Sequence, residues 1–119
     1  FFEPTVLANV PDNARVLTEE PFGPIAILNP IRDLDEGISL ANSLPYGLAA
    51  YGFTHSAANA EQMVERVEAG NLSINTLEAS LPETPFGGVK WSGYGREGGE
   101  EGLHNYTVVK NVSHKMSVG

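Results

Sequence analysis

With 15 acidic residues against seven lysines and arginines, the 119-residue chain carries a formal charge of −8, and its cations are scattered, which excludes the clustered basic surface that nucleic acid requires. A hydrophobic fraction of 41% and a charged fraction of 18% are those of an ordinary globular protein, expected in the cytoplasm. No apolar run reaches membrane-spanning length, and Phe1-Phe2-Glu3 starts no signal peptide. Cysteine is absent, so disulfides, thiolate metal sites and thiol nucleophiles are missing from these residues.

A chain of this length is expected to form one domain that buries about two thirds of its unfolded surface. It opens on a strand-like stretch without an initiator Met, which leads us to expect a piece of a longer protein. Residues 18–25 read TEEPFGPI. Pro21 and Pro24 stiffen the turn and hold Glu20 and Phe22 two positions apart. Such a turn suits either an ordinary exposed connection or a rigid platform for a ligand.

Ile25 to Leu28 follows as an apolar strand. Asp33 is an N-cap candidate with Glu36 in the capping-box position, and Leu34, Ile38 and Ala41 continue at helical spacing until Pro45 and Gly47 stop it. The acids Asp33, Asp35 and Glu36 are explained by the positive end of the helix dipole without a cation. Leu48 to Thr54 is a second strand. Ser56 caps a second helix whose apolar stripe is Ala60, Met63, Val64 and Val67, with Gly70 in the left-handed position beyond its end. Asn71 to Thr76 is a third strand. The order β-α-β-α-β with short connections predicts an α/β fold with a parallel sheet and right-handed crossovers.

Residues 77–95 lose all periodicity. They hold two prolines and four glycines but also Leu77, Leu81, Phe86, Trp91 and Tyr94, which argues for an ordered loop that forms a site or covers the core. Gly93 to Gly98 match G-x-G-x-x-G, yet no strand precedes them and no acid lies at the required distance, so the match is spurious. His55, His104 and His114 lack metal-ligand spacing, and no metal site is expected. The sequons at Asn71, Asn105 and Asn111 are read as chance matches. Tyr106 to Val112 (YTVVKNV) has the composition of a strand.

The pieces EEPFGP (19–24), YGLAA (46–50), AGN (69–71), PFGGVK (85–90) and SGYGRE (92–97) occur in an order and spacing that resembles the C-terminal part of the NAD(P)-dependent aldehyde dehydrogenase superfamily. The resemblance covers essentially the whole chain, with features of the succinate-semialdehyde branch. It implies an oxidoreductase that converts a small aldehyde to a carboxylic acid with NAD or NADP, through a cysteine thiohemiacetal and thioester. The cysteine, the general-base glutamate and the dinucleotide domain are implied to lie upstream, so no catalytic residue is expected among these 119.

By the same resemblance Glu20 accepts hydrogen bonds from the nicotinamide ribose, Phe22 packs beside the nicotinamide, and Glu19 is a solvated neighbour. Residues 77–85 sit at the mouth of the substrate tunnel. Phe86 lines it, and Ser80 contacts a distal carboxylate, although residues 77–85 contain no arginine and Ser80 can equally bond its own backbone. Gly93 to Gly98 become the turn into a last helix. Residues 1–105 are expected to belong to the catalytic domain and 106–119 to form an oligomerisation strand in a homodimer or homotetramer. Two other readings remain. One is a non-catalytic α/β binding or structural module. The other is a hydrolase pairing Glu20 with Glu78 or Glu83.

Overall fold

A computed structural model describes residues 1–117. Its elements are β1 (Thr5–Ala8), β2 (Ile25–Leu28), α1 (Leu34–Ala41), β3 (Tyr46–Gly47), β4 (Ala49–Gly52), α2 (Ala57–Arg66), β5 (Asn71–Ile74) and β6 (Val89–Lys90), with 3-10 turns at Arg15–Leu17 and Glu101–Tyr106.

Both helices start where local chemistry dictates. Asp33 accepts from the Glu36 N–H at 2.9 Å. The Glu36 carboxylate reaches back past the cap to the Arg32 N–H at 2.5 Å and its guanidinium at 3.0 Å. That backbone bond, with lesser help from the guanidinium, holds the Glu36 carboxyl below its ordinary range. Ser56 caps α2 by accepting from Asn59 N–H at 3.3 Å. The two helices present Ile38 and Met63 to the interior, while Val64 of the expected stripe is largely exposed.

The strands are α/β in character, but they do not build the single β-α-β-α-β sheet expected. β4 and β5 flank α2 and pair in parallel from Ala49↔Asn71 to Gly52↔Ile74. β2 pairs in parallel with β1, from Thr5↔Ile25 to Ala8↔Leu28, and not with β4. Between them β3 pairs antiparallel with β6, Tyr46 opposite Lys90. The chain thus forms three separate two-stranded ladders, because the opening residues claim β2 and no strand among the described residues bridges β2 to β4.

Three carboxamides extend this framework. Asn29 bonds both backbone groups of Val10 at 2.8 and 3.0 Å, and Asn75 does the same to Thr54 at 2.8 and 2.9 Å. Each adds a rung just past the end of a parallel pair. Asn42, at the end of α1, donates to Arg66 O at 2.7 Å and accepts from Glu68 N–H at 2.8 Å, tying together the C-terminal ends of α1 and α2.

Gly70 does not adopt the left-handed cap conformation expected of it. α2 instead ends on an extended Val67, and Gly70 is needed because a Cβ there would lie 1.8 Å from the Gly87 carbonyl. The left-handed glycines are Gly93, Gly95, Gly98 and Gly99. They turn the chain into the last helix expected, which is a six-residue 3-10 helix, Glu101–Tyr106.

The expected burial of two thirds of the surface is not reached. The accessible area is 9824 Å², against about 6,200 Å² for a compact monomer of this length, so roughly half of the unfolded surface is buried. The radius of gyration is 20.4 Å, where a compact domain would have about 13.5 Å. Ile38 and Met63 are the only buried apolar side chains among the described residues. Parallel strands normally have both faces covered, yet Val6 and Leu28 are each more than 60% exposed. Residues 107–117 form no strand and enter no strand pairing among the described residues. The expected strand from Tyr106 to Val112 is therefore absent here, and positions 118 and 119 of the expected tail lie outside the described residues.

Candidate cofactor and substrate site

Glu19, Glu20 and Pro21 of the EEPFG loop line a cleft of about 630 Å³, together with Leu44, Tyr46, Ala50 and Val67. The loop is built from Arg15 forward. The Arg15 carbonyl accepts from the N–H groups of Thr18 and Glu19 at 3.0 and 2.7 Å and from the Thr18 hydroxyl at 3.2 Å. Its guanidinium grips the Glu19 carboxylate through Nε at 2.8 Å and a terminal nitrogen at 2.6 Å. This bond holds the Glu19 carboxyl below its ordinary range. Glu19 stays exposed to solvent, as expected of the neighbouring acid, and is ion-paired as well; the i,i+4 spacing to Arg15 was the available signal for the pair.

Glu20 also lines the cleft. Among the described residues it has no hydrogen-bond or ion-pair partner. Past it the backbone doubles back twice, with Gly23 N–H donating to Pro21 O and Ile25 N–H to Gly23 O, both at 2.8 Å. Thr5 N–H donates to Pro24 O at 2.9 Å and anchors the loop to β1. Phe22 sits on the tip, 96% exposed, and is not part of the cleft wall. A pinned loop thus offers one unpaired carboxylate and one open aromatic face, which fits a diol beside a flat ring.

The aperiodic loop is ordered, mostly by backbone bonds. The Ser73 hydroxyl donates to Glu78 O at 2.8 Å, and Gly99 N–H donates to Pro82 O at 3.1 Å. Phe86 and Glu97 exchange two backbone bonds at 2.7 and 2.8 Å. Asn71 Nδ2 is shared between Leu48 O and Gly87 O at 2.8 and 3.0 Å, and Arg96 donates to Gly88 O at 3.0 Å and Gly95 O at 2.6 Å.

Ser80 is exposed and makes no hydrogen bond among the described residues, so the alternative in which it bonds its own backbone is not seen. Phe86 is half-buried. Neither lines the cleft beside Glu20, and neither do Glu78 and Glu83. The cleft thus does not bring Glu20 together with Glu78 or Glu83, the pairs of the hydrolase reading. Sequence reasoning missed Arg15, Asn42 and Lys90; of these only Lys90 lies inside a quoted motif.

Residues 1–112 match the profile described as the aldehyde dehydrogenase family. The chain belongs to the aldehyde dehydrogenase family. It is 51% identical over 110 residues to the 4-(hydroxymethyl)benzenesulfonate dehydrogenase TsaD1 of Comamonas testosteroni, covering 92% of this chain and 23% of that protein. It is 43% identical over 112 residues to a succinate-semialdehyde dehydrogenase of Paenarthrobacter nicotinovorans, covering 94% of this chain and 25% of that protein. A crystal structure of a betaine aldehyde dehydrogenase double mutant from Staphylococcus aureus, in complex with NAD+, superimposes with a TM-score of 0.87 at 39% identity, over 92% of this chain and 22% of that one. The chain spans about a quarter of the length of these relatives.

Proposed function

We propose that these residues serve as the C-terminal quarter of an NAD(P)-dependent aldehyde dehydrogenase of the cytoplasm, with residues 1–105 in the catalytic domain and 106–119 in an interface between protomers. The observation that carries this reading is the pair of adjacent acids. Arg15 occupies Glu19 and leaves Glu20, which lines a cleft, without a partner among the described residues, on a loop held at both ends. A carboxylate with free lone pairs accepts both hydroxyls of a ribose, and bonds to a charged acceptor are the stronger kind. Phe22 offers its open face to the ring attached to that ribose. When bound, the nicotinamide supplies the acceptor for the hydride that leaves the aldehyde. This chain's residues orient it, and the thiol nucleophile belongs to residues outside the 119.

The purified 119-residue chain, mixed with NAD and an aldehyde, is expected to form no NADH above background, because it contains no cysteine. The full-length enzyme is expected to turn over under the same conditions. NADH production by the short chain would overturn this division of labour.

Ser80 and Phe86 belong, in this reading, to the path of the aldehyde. Both curated relatives above act, by their names, on compounds with an anionic group remote from the reacting carbon, and Ser80 has an uncommitted hydroxyl to meet one. Ser80→Phe in the full-length enzyme is expected to lower kcat/KM for a carboxylated semialdehyde by about tenfold to a hundredfold more than for acetaldehyde, since lost polar recognition discriminates more than lost bulk does. Equal losses on the two substrates would place Ser80 outside the substrate path.

A further inference from the structure

We infer that the ammonium of Lys90 is a tethered cation in a three-oxygen site, and that Lys90 is a positioning residue for the cleft that Glu20 also lines. The inference rests on the proposed enzymatic reading for its kinetic arm alone. Lys90 Nζ donates to Asn42 O at 3.1 Å and Leu44 O at 3.2 Å, and it meets the Glu68 carboxylate at 2.5 Å. An ammonium has three N–H donors and no acceptor, so this set satisfies it completely.

The two carbonyls lie at and just past the C-terminal end of α1, where orphan acceptors and the negative end of the helix dipole call for a cation. The last turn of α1 contains no basic residue. Lys90 supplies that charge from 46 and 48 positions away. Glu68 and Leu44 both line the cleft, so the cation joins two parts of its wall to β6.

The backbone of Lys90 strengthens the case. Its φ is +55°, a conformation in which glycine is the default and a long side chain is uncommon. A lysine at such a position indicates that the side chain itself is required. It also provides a clean variant, because Lys90→Gly relaxes the backbone while removing the cation.

In the full-length enzyme, Lys90→Gly is expected to lose about tenfold to a hundredfold in kcat, as a displaced wall misaligns the reacting groups, and to melt at lower temperature. n-Butylammonium replaces the missing stem and charge. Added at millimolar levels, comparable with the effective concentration a tether provides, it is expected to restore most of both losses. Butanol, with the same stem and no charge, is expected to restore neither. Lys90→Met keeps the stem in place, and is expected to show the loss without rescue. Full activity and stability of Lys90→Gly would overturn the inference, as would equal rescue by butanol, or aggregation of both variants with or without amine. If the wild-type enzyme proved inactive on aldehydes, the proposed function would fall, while amine-dependent recovery of melting temperature would still decide the role of Lys90.

Discussion

Glu20→Gln in the full-length enzyme is expected to slow hydride transfer by about a hundredfold while changing cofactor affinity far less. Glutamine keeps the length and planarity of the side chain and retains one acceptor oxygen. It exchanges the other for an NH₂ group, which cannot accept from a ribose hydroxyl. One of two bonds is lost and the survivor is no longer charge-assisted, so the ribose is free to shift. In the proposed reading the dinucleotide domain outside these residues holds most of the cofactor, so capture survives, but the reacting ring is displaced. Single-turnover absorbance at the NADH band, set beside a fluorescence titration of the cofactor, separates the two effects. An unchanged single-turnover rate would show that Glu20 does not hold the ribose. Glu19→Gln is the internal control. Its carboxylate is engaged by Arg15 on an exposed surface, where such pairs contribute little, so this variant is expected to remain close to wild type.

Removal of residues 106–119 is expected to give smaller assemblies and to lower activity by roughly tenfold or more, through loss of support for the site. Val108 and Val109 are more than 90% exposed, and Val112 is 73% exposed. No strand among the described residues receives them. Aromatic and β-branched residues in such a row fit a pleated surface, and a free edge of that kind is one that proteins cover. We propose that a neighbouring protomer covers it by strand addition. Sedimentation velocity of the shortened enzyme decides the matter, and an unchanged oligomer would place the segment inside its own subunit.

The sequence disclosed what was local. The caps at Asp33 and Ser56, the extents of the helices and the crossover from β4 through α2 to β5 are each written within about 25 residues, where period and capping chemistry act directly. Pairing was less legible. β2 is bounded by turn residues on both sides, and nothing in its own composition names β1 as its partner. Gly70 looked like a helix cap because glycines often are, whereas its reason is a backbone contact with Gly87. Glu20 and Phe22 were marked by their motif. Which of the two acids is free became visible only through the geometry of Arg15. Lys90 was hidden because its partners are far away in sequence and two of them are carbonyls, which any residue carries.

A segment with only Ile38 and Met63 buried among its described residues cannot take the lead in folding. Its local unit β4-α2-β5 closes a short loop and is able to form early. The pair β1-β2, the cleft walls and the tail have to wait for a surface to settle on. In the role proposed above, as the C-terminal part of a longer enzyme, it would leave the ribosome after domains synthesised before it had begun to fold. Biosynthesis would then supply the template just when the segment needs it, and its apolar faces would stay open to chaperones and proteases for only a short interval.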